Sequence, residues 1–366
     1  MKSTSAFPAD YFASRDSFQS AATRLGWQVE SHAITSTGPD GEKLSIDAAI
    51  SPGEPSASTP CLIVSSGLHG IEGFLGAAIQ LETLARWTQN SPLTSSMRCL
   101  FLHGLNPYGY AWLRRTNEDN IDLNRSFMNG QPRVTPAGYH VLNPLLNPSL
   151  PPSYWEPFIL KAVLTIVKAG AKSGLKQSVA GGQYDYPKGI FYGGSSPSDT
   201  QNILAKNLER WIGGSSRVLH LDFHTGLGKW GTWKLLLDQA PTDGQLDTLE
   251  KCYGTENFQI SNPEGIAYLT SGGFGPWLTS RNQSTDYLYT CAEFGTYHDL
   301  KVLSALRSEN QAHHWGQTGD ASTLRAKANL KEVFCPNSEG WRDRVLKEGY
   351  EMVQKAAVAL QDRGGK

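Results

Sequence analysis

Two histidines and one glutamate in this sequence carry the side chains that proteins use to bind a catalytic metal ion. His69 and Glu72 are three residues apart in the string SSGLHGIEG, and His224 lies in the string LHLDFHTG. Two imidazoles and a carboxylate can hold a zinc ion and leave one coordination position for water. A lone HxxE string is common by chance, so this prediction depends on the strings that accompany it.

A third string, NIDLNRSF, lies between the first two and contains Asp122, Asn124 and Arg125. A guanidinium can bind a carboxylate through two parallel hydrogen bonds, so Arg125 is a candidate for holding an anionic substrate. The alternative is a structural arginine in a surface loop. Taken in order, the three strings favour hydrolysis by a metal-activated water.

Strand-like and helix-like segments alternate along the chain. CLIVSS at 61–66 is a continuous apolar run, as in a strand covered on both faces, and a helix is predicted over 72–87. RVLHLDF at 217–223 and YLYTCAEF at 287–294 are further predicted strands. This alternation predicts an α/β fold, a three-layer α/β/α sandwich around a central mixed, mostly parallel sheet.

The candidate ligands stand where those strands end. His69 follows the strand at 61–66, His224 follows the strand at 217–223, and Glu293 lies near the end of 287–294. Ligand-binding groups gather just beyond the carboxyl ends of strands in open α/β sheets. We therefore expect these side chains to meet at one edge of the sheet.

The rest of the chain is predicted as connections and helices. Residues 9–25 have the pattern of an amphipathic helix, and 104–150 have the composition of a long polar loop. The apolar string PFILKAVLTIVKAGA at 157–171 predicts a buried helix, since Lys161 and Lys168 interrupt it and argue against a membrane span. The segment from about 301 to 362 is predicted to be helical.

Composition excludes several classes of function. Lys and Arg total 33 and Asp and Glu total 34, so the formal net charge is -1 and binding to nucleic acid or anionic lipid through bulk charge is not expected. The N-terminus lacks the apolar core of a secretory signal. The five cysteines show no CxxC pair. A cytoplasmic protein without membrane attachment is the simplest interpretation.

The motifs, in their order, resemble those of the zinc carboxypeptidase superfamily. The matching strings are HxxE at His69, RTNEDNIDLNR, His224 in its strand-end loop, and Glu293 in CAEFGTY, spanning about residues 60–300. GQYDYPKGIFYGG and HTGLG point to an uncharacterised bacterial subgroup of carboxypeptidase-like proteins. The resemblance implies one catalytic domain over 1–366 with a helical C-terminal segment, and one zinc ion as cofactor.

The resemblance also implies a role for each residue at the metal. His69, Glu72 and His224 match the zinc ligands, and Glu293 matches the general base that activates the zinc-bound water. Asp122 matches a carboxylate that orients a zinc-bound histidine. Glu293 could instead be a buried, ion-paired glutamate at a strand end.

Three further residues match the groups that bind substrate. Arg115 stands nine residues before Asn124 and matches the arginine that polarises the scissile carbonyl, although Arg114 is an alternative. Asn124 and Arg125 match the pair that holds the substrate's terminal carboxylate. The family's active-site tyrosine has six candidates here: Tyr184, Tyr186, Tyr192, Tyr268, Tyr287 and Tyr289.

Three functions remain open from the sequence. The leading prediction is a zinc-dependent carboxypeptidase-type hydrolase acting on a peptide. The second is a deacylase of N-acyl amino acids like the aspartoacylase branch, which typically adds a β-rich C-terminal domain where this chain is predicted to be helical. The third is a non-catalytic protein stabilised by a metal.

Asp222 precedes His224 by two residues, so strand alternation places both side chains on one side of the strand. Asp222 can therefore be a partner of the site, or it can contact a loop. Oligomeric state is not predicted.

Overall fold

A computed structural model of the chain describes residues 6–54, 56–88, 96–128, 130–153, 156–168, 179–260, 271–282 and 285–361. The strands in these ranges are β1 Gln28–Thr37, β2 Lys43–Ile50, β3 Cys61–Ser66, β4 Arg98–His103, β5 Arg217–Thr225, β6 Trp233–Leu237, β7 Phe258–Ile260 and β8 Asp286–Phe294. The helices are α1 Tyr11–Arg24, α2 Gly73–Arg86, α3 Pro107–Ala111, α4 Ala137–Leu146, α5 Phe158–Lys168, α6 Asp199–Ile212, α7 Asp243–Tyr253, α8 Phe274–Arg281, α9 Asp299–Trp315, α10 Ala321–Phe334 and α11 Glu339–Gln361.

All eight described strands form one sheet in the order β1-β2-β4-β3-β5-β8-β6-β7. The central strands β4, β3, β5 and β8 run parallel, as do β6 and β7. The β1–β2, β2–β4 and β6–β8 pairs are antiparallel. This confirms the predicted mixed, mostly parallel sheet.

The two faces of the sheet carry separate hydrophobic cores. Leu62 and Val64 of β3 join one core, while Cys61 and Ile63 join the other, because successive side chains of a strand point to opposite faces. Helices α1, α2 and α11 contribute to the first core, and α6 and α8 to the second. The predicted three-layer α/β/α arrangement is therefore confirmed, and it explains why β3 has no exposed face.

Local predictions differ from the structure in the segment from 104 to 168. The predicted polar loop contains α3, a 3-10 turn at Leu123–Arg125 and the helix α4. The apolar helix α5 is not fully buried as predicted, because Leu160 is 58% exposed and Leu164 is 50% exposed. Helix propensity alone does not predict α4, because the helix contains Pro144 and depends on tertiary packing.

The C-terminal segment agrees with its predicted helical character, since α9, α10 and α11 occupy it. All five cysteines are free thiols. Among the described residues, no helix combines the length and apolar character needed to cross a membrane. The cytoplasmic location and the single-domain organisation stay predictions.

Candidate metal centre

The candidate ligands lie at the carboxyl end of the central parallel strands. His69 lies three residues after β3, and His224 is the penultimate residue of β5 rather than the first residue beyond it. Glu293 likewise lies inside β8, where it pairs in register with His224. The parallel register of β3, β5 and β8 brings the three positions to the same edge of the sheet, as the sequence predicted.

A tight turn after β3 aims His69 and Glu72 at one point. Gly67 has a φ of 72°, a backbone conformation that glycine adopts without strain. A Cβ atom on Gly70 would stand only 2.1 Å from the carbonyl carbon of Gly109, so this position requires glycine. The 3-10 turn Gly70–Glu72 then places the Glu72 carboxylate 2.9 Å from His69 Nδ1.

Two imidazole nitrogens and one carboxylate converge at this point. His224 Nδ1 lies 3.2 Å from His69 Nδ1 and 2.9 Å from Glu72 Oε2. The three residues form a group whose ligand atoms all lie within 4.8 Å of one another. All three side chains are buried. Two imidazoles and a carboxylate are the donor types that suit a divalent zinc ion.

Each histidine is held from behind by an aspartate. Asp122 Oδ1 lies 3.1 Å from His69 Nε2, and Asp222 Oδ2 lies 2.6 Å from His224 Nε2. Asp222 is itself held by hydrogen bonds donated by the Ser65 hydroxyl and the Tyr289 hydroxyl. A carboxylate behind an imidazole fixes its tautomer, so both Nδ1 atoms are presented to the shared point.

The ligand carboxylate and His224 stabilise each other's charge. Burial favours neutral Glu72, but the charges and hydrogen bonds of His69 and His224 outweigh it and lower the Glu72 pKa. Burial disfavours protonated His224, but Asp222 and Glu72 outweigh it and raise the pKa of His224 well above 6.5. Glu72 and His224 therefore form an ion pair, and a metal ion that binds here would take the place of the His224 proton.

Arg115, and not Arg114, reaches this cluster. Arg115 Nε donates to Asp122 Oδ2 at 2.9 Å, and its Nη1 donates to Glu72 Oε1 at 3.1 Å. Its Nη2 lies 2.8 Å from His69 Nε2. Arg114 is fully buried elsewhere, where its Nε donates to Glu309 at 3.0 Å. The two arginines therefore point to opposite sides of the segment that carries them.

Glu293 faces the same space from β8. Its Oε1 accepts a hydrogen bond of 2.8 Å from the backbone N–H of Leu227. Burial, together with the negative charge of Glu72, raises the pKa of Glu293 to about 7. Among the described residues no salt bridge to Glu293 is present, so the alternative of an ion-paired glutamate does not describe this side chain.

Asn124 and Arg125 lie beside the cluster and use backbone partners. Arg125 Nε and Nη2 donate to the carbonyl of Ala180 at 2.9 and 2.6 Å, and Nη1 donates to the carbonyl of Asn124 at 2.8 Å. The Asn124 side-chain oxygen accepts from the N–H of Phe274 at 2.9 Å. Arg125 is 5% exposed, so it is not a surface arginine.

A cavity of about 280 Å³ lies against the candidate ligands and their neighbours, and Asp122, Asp222 and Arg114 are not among its lining residues. His69, Glu72, Arg115, Asn124, Arg125, His224 and Glu293 all line it. No tyrosine is among the described lining residues. Tyr184 donates to the Arg125 carbonyl and Tyr287 contacts His220, whereas Tyr268 lies outside the described residues.

Sequence reasoning left several residues of this site unassigned. The sequence left two interpretations of Asp222, as a partner of the site or as a contact of a loop. Its spacing of two residues from His224 was the signal that favours the site. Cys291 had no assigned role, yet it lines the cavity and forms a second possible ligand group with His224 and Glu293. Its position two residues before Glu293 on β8 places both on one face. Asp238 also lines the cavity and had no sequence signal.

Solved structures similar to this chain include a candidate metallopeptidase from Shewanella amazonensis SB2B, with 17% identity, a TM-score of 0.45, and 90% of this chain and 94% of that chain covered. Carboxypeptidase A from Helicoverpa armigera has 13% identity and a TM-score of 0.47, with 88% and 73% covered. Bovine thrombin-activatable fibrinolysis inhibitor, in complex with tick carboxypeptidase inhibitor, has 14% identity and a TM-score of 0.47, with 94% and 99% covered.

No curated protein matches the sequence. Residues 7–348 match the model of the DUF2817 family, which is described as a protein of unknown function. Because the match covers most of the chain, the protein belongs to this family.

Proposed function

For this member of the DUF2817 family, we propose a zinc-dependent hydrolase of the carboxypeptidase type that cleaves an amide bond. The observation that carries the proposal is the convergence of His69 Nδ1, His224 Nδ1 and the Glu72 carboxylate on one point that lines a cavity. An additional carboxylate, Glu293, lines the same cavity without serving as a partner of the other three.

His69, Glu72 and His224 are the proposed zinc ligands. The donor set fits the ion, since both Nδ1 atoms are turned inward by aspartates that hold the opposite ring nitrogens. A zinc ion bound there would lower the pKa of water towards about 7 and supply a nucleophile at neutral pH.

Glu293 is the proposed general base. Its pKa of about 7 lets the carboxylate accept a proton from water and return it to the departing amine. The Leu227 N–H holds one carboxylate oxygen, which leaves the other oxygen for proton transfer.

Arg115 is the proposed partner of the scissile carbonyl oxygen. A single Nε2 of His69 cannot both donate to Asp122 and accept from Arg115, although both groups lie within 3.1 Å. If His69 Nδ1 were a metal ligand, the ring proton would lie on Nε2 and would donate to Asp122. Arg115 Nη2 would then be free to donate to an oxyanion.

Asn124 and Arg125 are the proposed partners of a substrate carboxylate. Arg125 carries five N–H groups, and its backbone contacts in the structure leave N–H groups of Nη1 and Nη2 for a further acceptor. Those backbone contacts fix the guanidinium in place before substrate arrives, which reduces the ordering cost of binding.

Substitution of the proposed base tests this function. We expect Glu293→Gln to retain zinc but to lose about two to four orders of magnitude in kcat on an unblocked dipeptide, because an amide accepts no proton from water. Glu209→Gln on the exposed side of α6 is the control and should leave kcat unchanged. Equal turnover by Glu293→Gln and the wild type would remove Glu293 as the base.

The pH profile gives a second readout. Only the deprotonated base is active, so kcat/KM should fall about tenfold for each pH unit below the pKa of Glu293. That pKa is about 7 in the structure, and a bound cation would lower it, so the acid limb should lie at or below that value. A profile with activity that rises on acidification would contradict this assignment.

A further inference from the structure

One wall of the cavity is made only of hydrocarbon side chains. The lining residues that α4 and α5 contribute are all apolar, and leucines of α9 continue the same surface. The wall is formed by Leu142, Leu146, Phe158, Ala162, Leu303 and Leu306. The metal ligands and both arginines come from other elements, and the one polar lining residue of these three helices is Asp299 at the start of α9.

Helix α5 has one face that lines the cavity and another that is exposed to solvent. Phe158 and Ala162 of α5 are four residues apart, lie on one face of the helix and are buried. Val163, the next residue, is 48% exposed. The orientation of α5 therefore places selected apolar side chains along the cavity and others in solvent.

A buried arginine holds the wall in place. Arg307 of α9 donates to both oxygens of Glu156, at 2.7 and 2.8 Å, just before α5 begins. Its Nε donates to the carbonyl of Leu145 near the end of α4 at 2.6 Å. One guanidinium thus connects the three helices of the wall, and Arg307 is 3% exposed. A charge-assisted, bidentate connection of this kind makes the wall a preformed surface.

We infer that the substrate of this site carries a bulky hydrocarbon group next to the amide that is cleaved, and that this group packs on the wall. The inference rests on the proposed function for the position of the amide. A polar group placed on the wall would lose its hydration without gaining a hydrogen bond there, whereas a hydrocarbon group is stabilised by leaving water. The group can belong to the acyl part or to the amine part of the substrate.

Two series of ligands test whether the hydrocarbon group belongs to the acyl part or to the amine part of the substrate. The first is N-acylglycine with acetyl, butanoyl, hexanoyl and octanoyl groups, and the second is N-acetylglycine, -alanine, -norvaline and -norleucine. Binding of each to the zinc-loaded Glu293→Gln protein is measured by calorimetry, so that no turnover is needed. We expect Kd to fall by up to about fourfold for each added methylene in one of the series.

Two neighbouring substitutions on α5 locate the binding surface. Ala162→Phe fills part of the cavity and should abolish the dependence of Kd on chain length while keeping zinc and the binding of the acetyl ligand. Val163→Phe adds the same ring on the exposed face and should leave the dependence unchanged. Retained zinc and retained acetyl binding also show that the Ala162→Phe protein is folded.

A Kd that does not change with chain length in either series, or the absence of measurable binding, would overturn the inference. An equal effect of Ala162→Phe and Val163→Phe would also overturn it. Failure of the proposed function has a different signature: the wild-type, zinc-loaded protein would cleave none of the ligands, while binding would still depend on chain length.

Discussion

The metal-binding corner and the apolar wall share one cavity but are built in different ways. His69, Glu72 and His224 come from loops and strand ends of the central sheet, and each histidine is held by a directional hydrogen bond to an aspartate. The wall comes from three helices and consists of side chains without polar atoms. The corner therefore depends on individual atoms, whereas the wall depends on shape and on area removed from water.

This difference sets the size of the expected effects. A buried charged group that loses its partner leaves an uncompensated charge, so single-atom changes in the corner should be severe. A hydrocarbon surface is non-directional, and conservative changes in it are tolerated. Substitutions in the two regions should thus separate metal binding from substrate preference.

Among substitutions that keep the proposed ligands and the base, the largest effect is expected from Asp222→Asn. Asp222 accepts hydrogen bonds from Ser65 and Tyr289 while its Oδ2 holds His224 Nε2 at 2.6 Å. An amide at this position weakens the hold on the imidazole, so zinc affinity should fall by about tenfold to a hundredfold. Competition with a chromogenic chelator measures this affinity. Asp286→Asn, at the exposed start of β8, is the control, and unchanged affinity in Asp222→Asn would break the proposed contrast between corner and wall.

A smaller effect, confined to one kind of substrate, is expected from Arg125→Lys. An ammonium cannot reproduce the planar pair of donors that binds a carboxylate. We expect kcat/KM to fall by about tenfold for a peptide with a free C-terminal carboxylate, and to change little for the same peptide with a C-terminal amide. Similar losses for both peptides would assign Arg125 to structure, through its contacts with the Ala180 carbonyl.

The smallest effect on catalysis is expected from Arg307→Lys, which loosens the wall. Lysine cannot contact both Glu156 oxygens and the Leu145 carbonyl together, so the free energy of unfolding should fall by about 1–3 kcal/mol. The affinity for long-chain ligands should fall a few-fold, and zinc affinity should stay unchanged. Arg210→Lys is a matched control, because Arg210 makes a bidentate contact with Glu30 but has a side chain that is 54% exposed.

The stability effect of Arg307→Lys also has a pH signature. The hydrogen bonds from Arg307 lower the pKa of Glu156 below its usual 4.5. A carboxyl group whose pKa is lower in the folded state stabilises the fold at any pH above its pKa in the unfolded state. This stability is lost as the pH falls through its pKa in the folded state. The difference in stability between wild type and Arg307→Lys should therefore narrow below about pH 4.5, as measured by urea unfolding. A difference that widens on acidification would mean that Glu156 is not the group stabilised.

The sequence predicted the corner because its parts leave local signals. A continuous apolar run marks β3 as a buried strand, and β5 and β8 follow from strand-like strings; the sheet itself then brings the polar residues at their ends together. Strand alternation places Asp222 and His224 on one side of β5, but it leaves open whether Asp222 contacts the site or a loop, and the structure shows the contact with His224. The choice between Arg114 and Arg115 was harder, since neighbouring residues differ only in the direction of their side chains.

The wall could not be predicted for physical reasons. The segment at 104–150 is rich in proline and asparagine, and its helix α4 depends on packing against α5 and on the hydrogen bond from Arg307 of α9 more than on propensity. In α5 nearly every residue is apolar, so periodicity does not show that Phe158 and Ala162 face the cavity while Leu160 faces solvent. Contacts between distant helices determine this, and they have no short motif.

The central claim is that His69, Glu72 and His224 bind one zinc ion. Elemental analysis of protein that has been stripped of metal, reloaded with zinc and desalted tests it most directly, with His140→Ala as a control because the side chain of His140 is 46% exposed. We expect about one zinc per chain in the wild type and in His140→Ala, and none in His69→Ala, because removal of one imidazole opens the site. Full zinc content in His69→Ala, or no zinc in the reloaded wild type, would contradict the claim.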